Sequence, residues 1–171
     1  MQPPATFPRI LLMTGEWPVP GRPRAPSFTR RQAESLQAAG VCVGIFAFGA
    51  RLNPIDYLIA WTRLRPRLTR DSYDVVHAHF THSGLLALPK RLPLVVTFHA
   101  RDLATHTPAT ATRLRCWAAR VVAQQADAVI VGSEDLRRRV ESRAPVHVIP
   151  TDVGAQATTA RLLEIYRSLP G

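Results

Sequence analysis

The sequence predicts an α/β protein with a doubly wound, mostly parallel sheet of about six strands flanked by helices. Short apolar runs alternate with stretches of helical periodicity, which is typical of βαβ units. The runs are continuously apolar, as expected for parallel strands that helices cover on both faces. Because the crossovers between such strands are right-handed, we expect an open, doubly wound sheet.

Each predicted element has a local signal. The strands are apolar runs that end in polar or turn residues, at 9–14, 41–48, 74–80, 93–100, 127–133 and 145–150. The helices carry apolar residues at helical spacing, and they cover 27–40, 55–70, 83–91 (a short helix or turn), 110–126, 133–142 and 158–171. Gly40 suits the end of the first helix because glycine tolerates a left-handed conformation, and Pro66 weakens the second.

The pattern also predicts which side chains face the core. In the fourth helix the inner side is expected to carry Leu114, Trp117, Val121 and Val122. In the last helix it is expected to carry Leu162, Ile165, Tyr166 and Leu169. No strand precedes that helix. The predicted organisation is therefore a Rossmann-like domain over 1–153, followed by a linker and an amphipathic helix over 154–171 that packs back on the same domain.

Composition restricts the class of protein. The net charge is +10 and is carried by arginine, since Lys90 is the only lysine. This charge could favour nucleic acid, anionic lipid or phosphate-bearing substrates, or could reflect the codon usage of a GC-rich genome. The basic residues are spread along the chain, so no nucleic-acid partner is predicted.

Cys42 and Cys116 have no metal or redox spacing and are expected to be reduced core residues of a cytosolic protein. The N-terminus lacks a secretory pattern, and no apolar run is long enough to span a membrane.

A site is predicted at the carboxyl edge of the sheet, where ligands of doubly wound folds bind. The tips TGEW, HAHFTHS, FHARD and VGSED meet there. His99 is the strongest candidate, because a histidine at a strand tip can donate to a hydroxyl or a leaving phosphate. An edge histidine bonded to a backbone carbonyl is the structural alternative. Asp102 could orient Arg101 or close the loop, and both are expected to line the cleft.

The other candidates each have a plainer alternative. Gly15 and Gly21 allow backbone N–H groups to approach phosphate, with Arg22 adding charge, although most such loops are turns. Neither dinucleotide-binding nor P-loop glycine motifs are present. Ser133 and Glu134 could line the cleft or could simply begin a helix.

Three histidines, His77, His79 and His82, suggest a metal site at first sight. His77 and His79 share one face of a strand. No second ligand cluster accompanies them, so no metal is predicted. His79 and His82 are instead expected to line the cleft at this edge.

Taken in order over about residues 8–153, several segments resemble the N-terminal domain of a family 4 retaining glycosyltransferase of GT-B architecture. The matching segments are LLMTGEWPVPGRP, YDVVHAHFTHSG, PLVVTFHARDL, ADAVIVGSEDLRRRV and VHVIPTDV. Three departures stand out: Gly21-Arg22 replaces Gly-Gly, FHARD replaces FHGSD, and VIPTDVG replaces VIPNGVD. The terminal helix resembles the one that crosses back onto this domain.

The resemblance implies transfer of a sugar from a nucleotide diphosphate sugar to an acceptor hydroxyl with retention, with His99 near the reaction centre. It implies no cofactor and no catalytic metal. The first loop would face the donor phosphates and the acceptor. The nucleotide-sugar site would lie largely on a C-terminal donor domain, which is missing or supplied by a partner, so that the chain alone would be inactive.

The alternatives are a non-catalytic module, engineered or split from a larger protein, and a basic membrane-surface protein. The segment 55–70 is basic, aromatic and amphipathic, which suits an anionic membrane as well as an ordinary covering helix. The expected acceptor is a sugar or a lipid-linked compound. The expected location is cytoplasmic, with peripheral contact to the inner face of the membrane.

Overall fold

The computed structural model describes residues 7–17, 27–49, 54–69, 71–103, 109–150 and 152–170. The strands are β1 (Ile10–Thr14), β2 (Val43–Ala47), β3 (Val75–His79), β4 (Leu94–Phe98), β5 (Ala128–Val131) and β6 (Val146–Val148). They form one all-parallel sheet in the order β2-β1-β3-β4-β5-β6. The chain therefore has the predicted doubly wound fold. Its strand order reverses at β1, which places a crevice between β1 and β3.

The helices follow the strands closely. They are α1 (Ser27–Ala38), α2 (Pro54–Leu64), α3 (Phe80–Ala87), α4 (Ala109–Gln125), α5 (Glu134–Arg139) and α6 (Ala155–Arg167). α2 ends before Pro66 and continues as a 3-10 turn, since proline has no N–H to donate within a helix. After α1, Gly40 has a φ of 85°, which confirms the predicted glycine stop.

Two apolar cores lie on opposite faces of the sheet. On one face β1, β3 and β4 pack against α2, α3 and α4, with Leu64, Leu86 and Val122 at the contact. On the other face the sheet packs against α1 and α6, through Leu36 and Leu162. Because helices cover both faces, the strands β1, β3, β4 and β5 are buried along their whole length.

The inner face of α4 confirms the prediction for Val122 but not for Leu114 and Trp117. Leu114 and Trp117 are 66% and 59% exposed, whereas the buried side consists of Val122 and small alanines. The cause lies in α3, where a Cβ on Gly84 would overlap the side chain of Val122. Because α3 and α4 approach so closely, small residues fit between them and the larger ones face outward.

Two further features concern the surface. Cys42 and Cys116 are exposed free thiols, so the prediction that they lie in the core is wrong. The core positions nearby are occupied by other residues: Val41, next to Cys42, and Ala119, one helical turn after Cys116, are buried. Among the helices of the described residues, none is long and apolar enough to cross a membrane.

Candidate functional site

The tips of β1, β3 and β4 bring together charged and polar side chains from distant parts of the chain. Glu16 follows β1, His79 ends β3, and His99 follows β4. The Arg101 guanidinium forms an ion pair with the Glu16 carboxylate, 85 positions away in the sequence. This pair links the loops after β1 and β4 across the end of β3.

His99 lies at the centre of this arrangement. Its ring stacks on Phe80 with a centroid separation of 4.3 Å, and the Phe28 ring lies nearly perpendicular to it with the centroids 5.9 Å apart. Its Nε2 atom lies 3.4 Å from Nδ1 of His79. Burial lowers the pKa of His99, although Asp102 and Glu16 act in the opposite direction. His99 is therefore a neutral imidazole near pH 7, able to donate or accept a hydrogen bond.

Asp102 holds the strand tip in place. Its carboxylate accepts hydrogen bonds from the backbone N–H of His99, at 2.9 Å, and from that of Thr81, at 2.8 Å. Of the two predicted roles, Asp102 closes the loop, since Arg101 pairs with Glu16 instead. Phe80, the first residue of α3, has a φ of 71°, a conformation that few non-glycine residues adopt. This sharp turn places its ring against His99.

A buried hydrogen-bonded chain lies below His99. The His79 ring stacks on His77 with centroids 4.7 Å apart. His77 bonds through Nδ1 to the Tyr166 hydroxyl at 2.6 Å and through Nε2 to the Thr97 hydroxyl at 2.7 Å. Burial, with a smaller effect of His99, lowers the pKa of His77 to about 3, and burial also lowers the pKa of His79. Both rings are therefore neutral parts of the core beneath the site.

Within the described residues, His77, His79 and His82 do not come together as one cluster of metal ligands. No group of three or more potential ligand side chains occurs among the residues that the structure describes. His82 lies apart from the histidine chain, and its ring packs against Phe80 and Phe48 at 5.4 and 5.7 Å. Burial lowers the pKa of His82 as well.

A cleft of about 410 Å³ opens beside His99. Arg101 and Ser133 contribute to its lining, together with residues of α1, α5 and α6. Ser133 also begins α5, since its hydroxyl accepts from the Leu136 N–H at 3.3 Å. Glu134 does not line the cleft, and its carboxylate faces Arg137 at 3.5 Å on the surface of α5.

The first loop is only partly described. Gly15 directly follows β1 and is half-buried, next to Glu16, whose N–H donates to the Thr14 hydroxyl. Gly21 and Arg22 lie outside the described residues.

Sequence reasoning missed Glu16, Phe28, Gln32 and Phe80. Glu16 stands in the tip TGEW, so its position at the carboxyl edge was available from the strand order. Phe80 directly follows β3, but its backbone turn has no sequence signal. Phe28 and Gln32 belong to α1, and only the packing of that helix shows that both line the cleft.

The geometry can be compared with known proteins. The family model described as Glycosyltransferase Family 4 matches residues 20–153. A sucrose-phosphate synthase chain from Thermosynechococcus elongatus superimposes with a TM-score of 0.70 at 18% identity, covering 93% of this chain and 97% of that one. A longer chain of the same enzyme gives a TM-score of 0.63 at 18% identity, covering 83% of this chain but only 47% of that one. No curated protein sequence matches significantly.

Proposed function

Because the chain belongs to glycosyltransferase family 4, we propose that it forms the acceptor-side half of a retaining glycosyltransferase. The complete enzyme would move a sugar from a nucleotide diphosphate sugar to an acceptor hydroxyl. The observation that carries this proposal is the convergence of His99, Arg101 and Glu16 at the carboxyl edge, beside a cleft of about 410 Å³. No cofactor is part of the proposal.

His99 and Arg101 have chemistry that suits the two parts of a donor. A neutral His99 can hydrogen-bond a sugar hydroxyl, and the ring contacts with Phe80 and Phe28 hold its orientation. Arg101 is two-thirds exposed, so its guanidinium can reach a diphosphate at the cleft mouth. Arginine binds phosphate oxygens in a bidentate manner, and a diphosphate would compete with Glu16 for it.

The proposal includes a donor-binding domain as partner. This chain spans about half, 47%, of the longer sucrose-phosphate synthase chain that shares its fold. Catalysis in a closed cleft depends on groups that stabilise the leaving phosphate from both sides. We therefore expect the isolated chain to bind nucleotide sugars weakly and to transfer no sugar.

Backbone amide NMR of the isolated chain tests this function. Millimolar UDP-glucose or GDP-mannose should shift the resonances of His99, Ala100 and Arg101. The Arg101→Gln variant should weaken the shifts several-fold. Arg138→Gln should leave them unchanged, because Arg138 is an exposed arginine of α5 that lies outside the cleft.

Shifts that cluster elsewhere, or no shifts with a broad panel of nucleotide sugars, would contradict the assignment. A transfer rate above background in a radiolabelled assay with the isolated chain would contradict the expected inactivity.

A second candidate function, contact with a membrane surface, is favoured by α2. Ile55, Leu58 and Ile59 are 66%, 62% and 49% exposed on its outer side, opposite the buried Ala60 and Leu64. Contiguous exposed aliphatic side chains are uncommon on soluble monomers and mark interaction surfaces.

Basic residues surround the C-terminal end of the same helix. Arg63 and Arg67 are exposed, and Arg91 lies close enough to Arg65 to lower its pKa, in addition to the larger effect of burial. An apolar side next to arginines suits an anionic bilayer. We propose a peripheral location at the cytoplasmic face of a membrane, supported by the free thiols of Cys42 and Cys116, with a sugar or lipid-linked acceptor.

A further inference from the structure

The cleft beside His99 has an apolar interior. It is lined by the ends of β4 and β5 and by residues of α1, α5 and α6. The apolar lining includes Phe28, Phe98, Ile130, Leu136, Ile149 and Leu162. A volume of about 410 Å³ suits a small organic molecule, since ligand pockets span roughly 300–1,000 Å³. The interior therefore favours the burial of an apolar body.

The cleft is also close to electrically neutral. Among the described residues that line it, Arg101 is the single charged side chain, and Glu16 compensates its charge. Burial lowers the pKa of His99, so this ring adds no charge at neutral pH. A phosphorylated ligand inside the cleft would lose its hydration without gaining an unpaired cation deep in the interior.

Gln32 supplies a polar group within this apolar interior. The residue is 7% exposed, and its Oε1 atom is buried without a hydrogen-bond partner among the described residues. An amide oxygen can only accept, so Oε1 remains an open acceptor on a residue that lines the cleft. A ligand O–H or N–H would satisfy it.

We propose that this cleft binds an uncharged acceptor alcohol with a compact apolar body, such as an aromatic diol, rather than a sugar phosphate. One hydroxyl would donate to Gln32, and another would lie beside His99, where it can be glycosylated. This inference rests on the proposed function, and for the same site it replaces the sugar or lipid-linked acceptor given above with an uncharged apolar alcohol.

Ligand-observed NMR of the intact chain tests the inference, with 2,6-dihydroxynaphthalene as probe. This compound is rigid and apolar, with a hydroxyl at each end, and no donor sugar is needed. We expect it to bind at least tenfold more tightly than glucose or glucose 6-phosphate. Gln32→Leu should raise its Kd about tenfold, because a buried hydrogen bond is lost. Gln37→Leu should leave the Kd unchanged, since this glutamine is exposed on the same helix.

A second variant keeps the test decisive if Gln32→Leu unfolds. Thr158, half-buried on α6, lines the cleft, so Thr158→Trp should fill the space and abolish probe binding. The inference is overturned if the probe does not bind, or if both variants bind it as well as the unaltered chain does.

The outcome separates the inference from the proposed function. Tighter binding of glucose 6-phosphate, lost in Arg101→Gln, would overturn the uncharged acceptor and leave the glycosyltransferase proposal standing. Probe binding that depends on Gln32, with no response to nucleotide sugars at the carboxyl edge, would preserve the binding site and contradict the proposed function.

Discussion

At the scale of single residues, Asp102 holds two backbone segments of the site together through hydrogen bonds. It is 8% exposed and accepts two backbone hydrogen bonds, one from the first turn of α3 and one from the loop that follows β4. Hydrogen bonds to a charged group contribute more than neutral ones, and a buried N–H that loses its partner is costly. The orientation of His99 therefore depends on a residue that does not itself face the cleft.

We expect Asp102→Ala to destabilise the fold by about 3 kcal/mol, because two buried N–H groups lose their acceptor. Asp102→Asn should cost less, since one acceptor oxygen remains. Urea unfolding measures both. Asp152→Ala is the control, an exposed aspartate whose removal should change stability by less than about 0.5 kcal/mol. Equal effects of Asp102→Ala and Asp152→Ala would contradict the structural role.

The buried His77 predicts a pH dependence of stability. Burial lowers its folded pKa from 6.5 to about 3, so below pH 6.5 the unfolded chain binds a proton that the folded chain does not. Stability is therefore fully present above pH 6.5 and decreases as the pH falls toward 3, by about 1.4 kcal/mol per pH unit for one such group. His79 acts in the same direction.

Urea unfolding at pH 7 and pH 5 measures this dependence. In His77→Asn the decrease between the two values should become smaller, although the variant is less stable at pH 7 because its bonds to Tyr166 and Thr97 change. An unaltered pH dependence in this variant would mean that His77 is not the titrating group.

At the scale of elements, the exposed apolar side of α2 can be tested for contact with a membrane. We expect the triple variant Ile55→Ser, Leu58→Ser, Ile59→Ser to reduce cosedimentation with phosphatidylglycerol vesicles at least tenfold, because its apolar contact with the bilayer is removed. The unaltered chain should bind more weakly at high salt and to phosphatidylcholine vesicles.

The matched control lies on α4. Leu114→Ser with Trp117→Ser removes comparably exposed apolar side chains from another helix and should not affect vesicle binding. Loss of binding in this control, or its persistence in the triple variant, would show that α2 is not the membrane-facing surface.

At the scale of the whole molecule, α6 completes the second face of the sheet. Its Leu162, Leu163, Ile165 and Tyr166 are buried against strand residues such as Val75. The only other helix on that face is α1, within the described residues. The last helix is thus an integral part of this core.

We expect deletion of residues 154–171 to abolish cooperative unfolding, because the sheet would expose one apolar face to water. Circular dichroism during a thermal scan measures the transition. Glu164→Gln, on the exposed side of α6, should unfold like the unaltered chain. A sharp transition in the deleted chain would show that the domain folds without α6.

Much of the architecture could be predicted because it depends on local signals. Continuous apolar runs indicated the parallel strands, Gly40 indicated the end of α1, and the FHARD tip placed His99 at the carboxyl edge. On the inner side of α4, Val122 was predicted correctly, whereas Leu114 and Trp117 were predicted wrongly because hydrophobicity alone favoured them. The close approach of α3 at Gly84 instead required small side chains at the contact.

The sequence by itself determined the fold class, the family and the edge of the sheet that carries the candidate site. These follow from periodicity, from the alternation of strands and helices along the chain, and from motifs within short segments. Only the tertiary structure decided how Glu16 pairs with Arg101 and how Tyr166 bonds to His77, 85 and 89 positions apart. It also decided that Gln32 lines the cleft. Such contacts depend on how strands and helices pack in three dimensions, and no local pattern encodes which distant side chains meet.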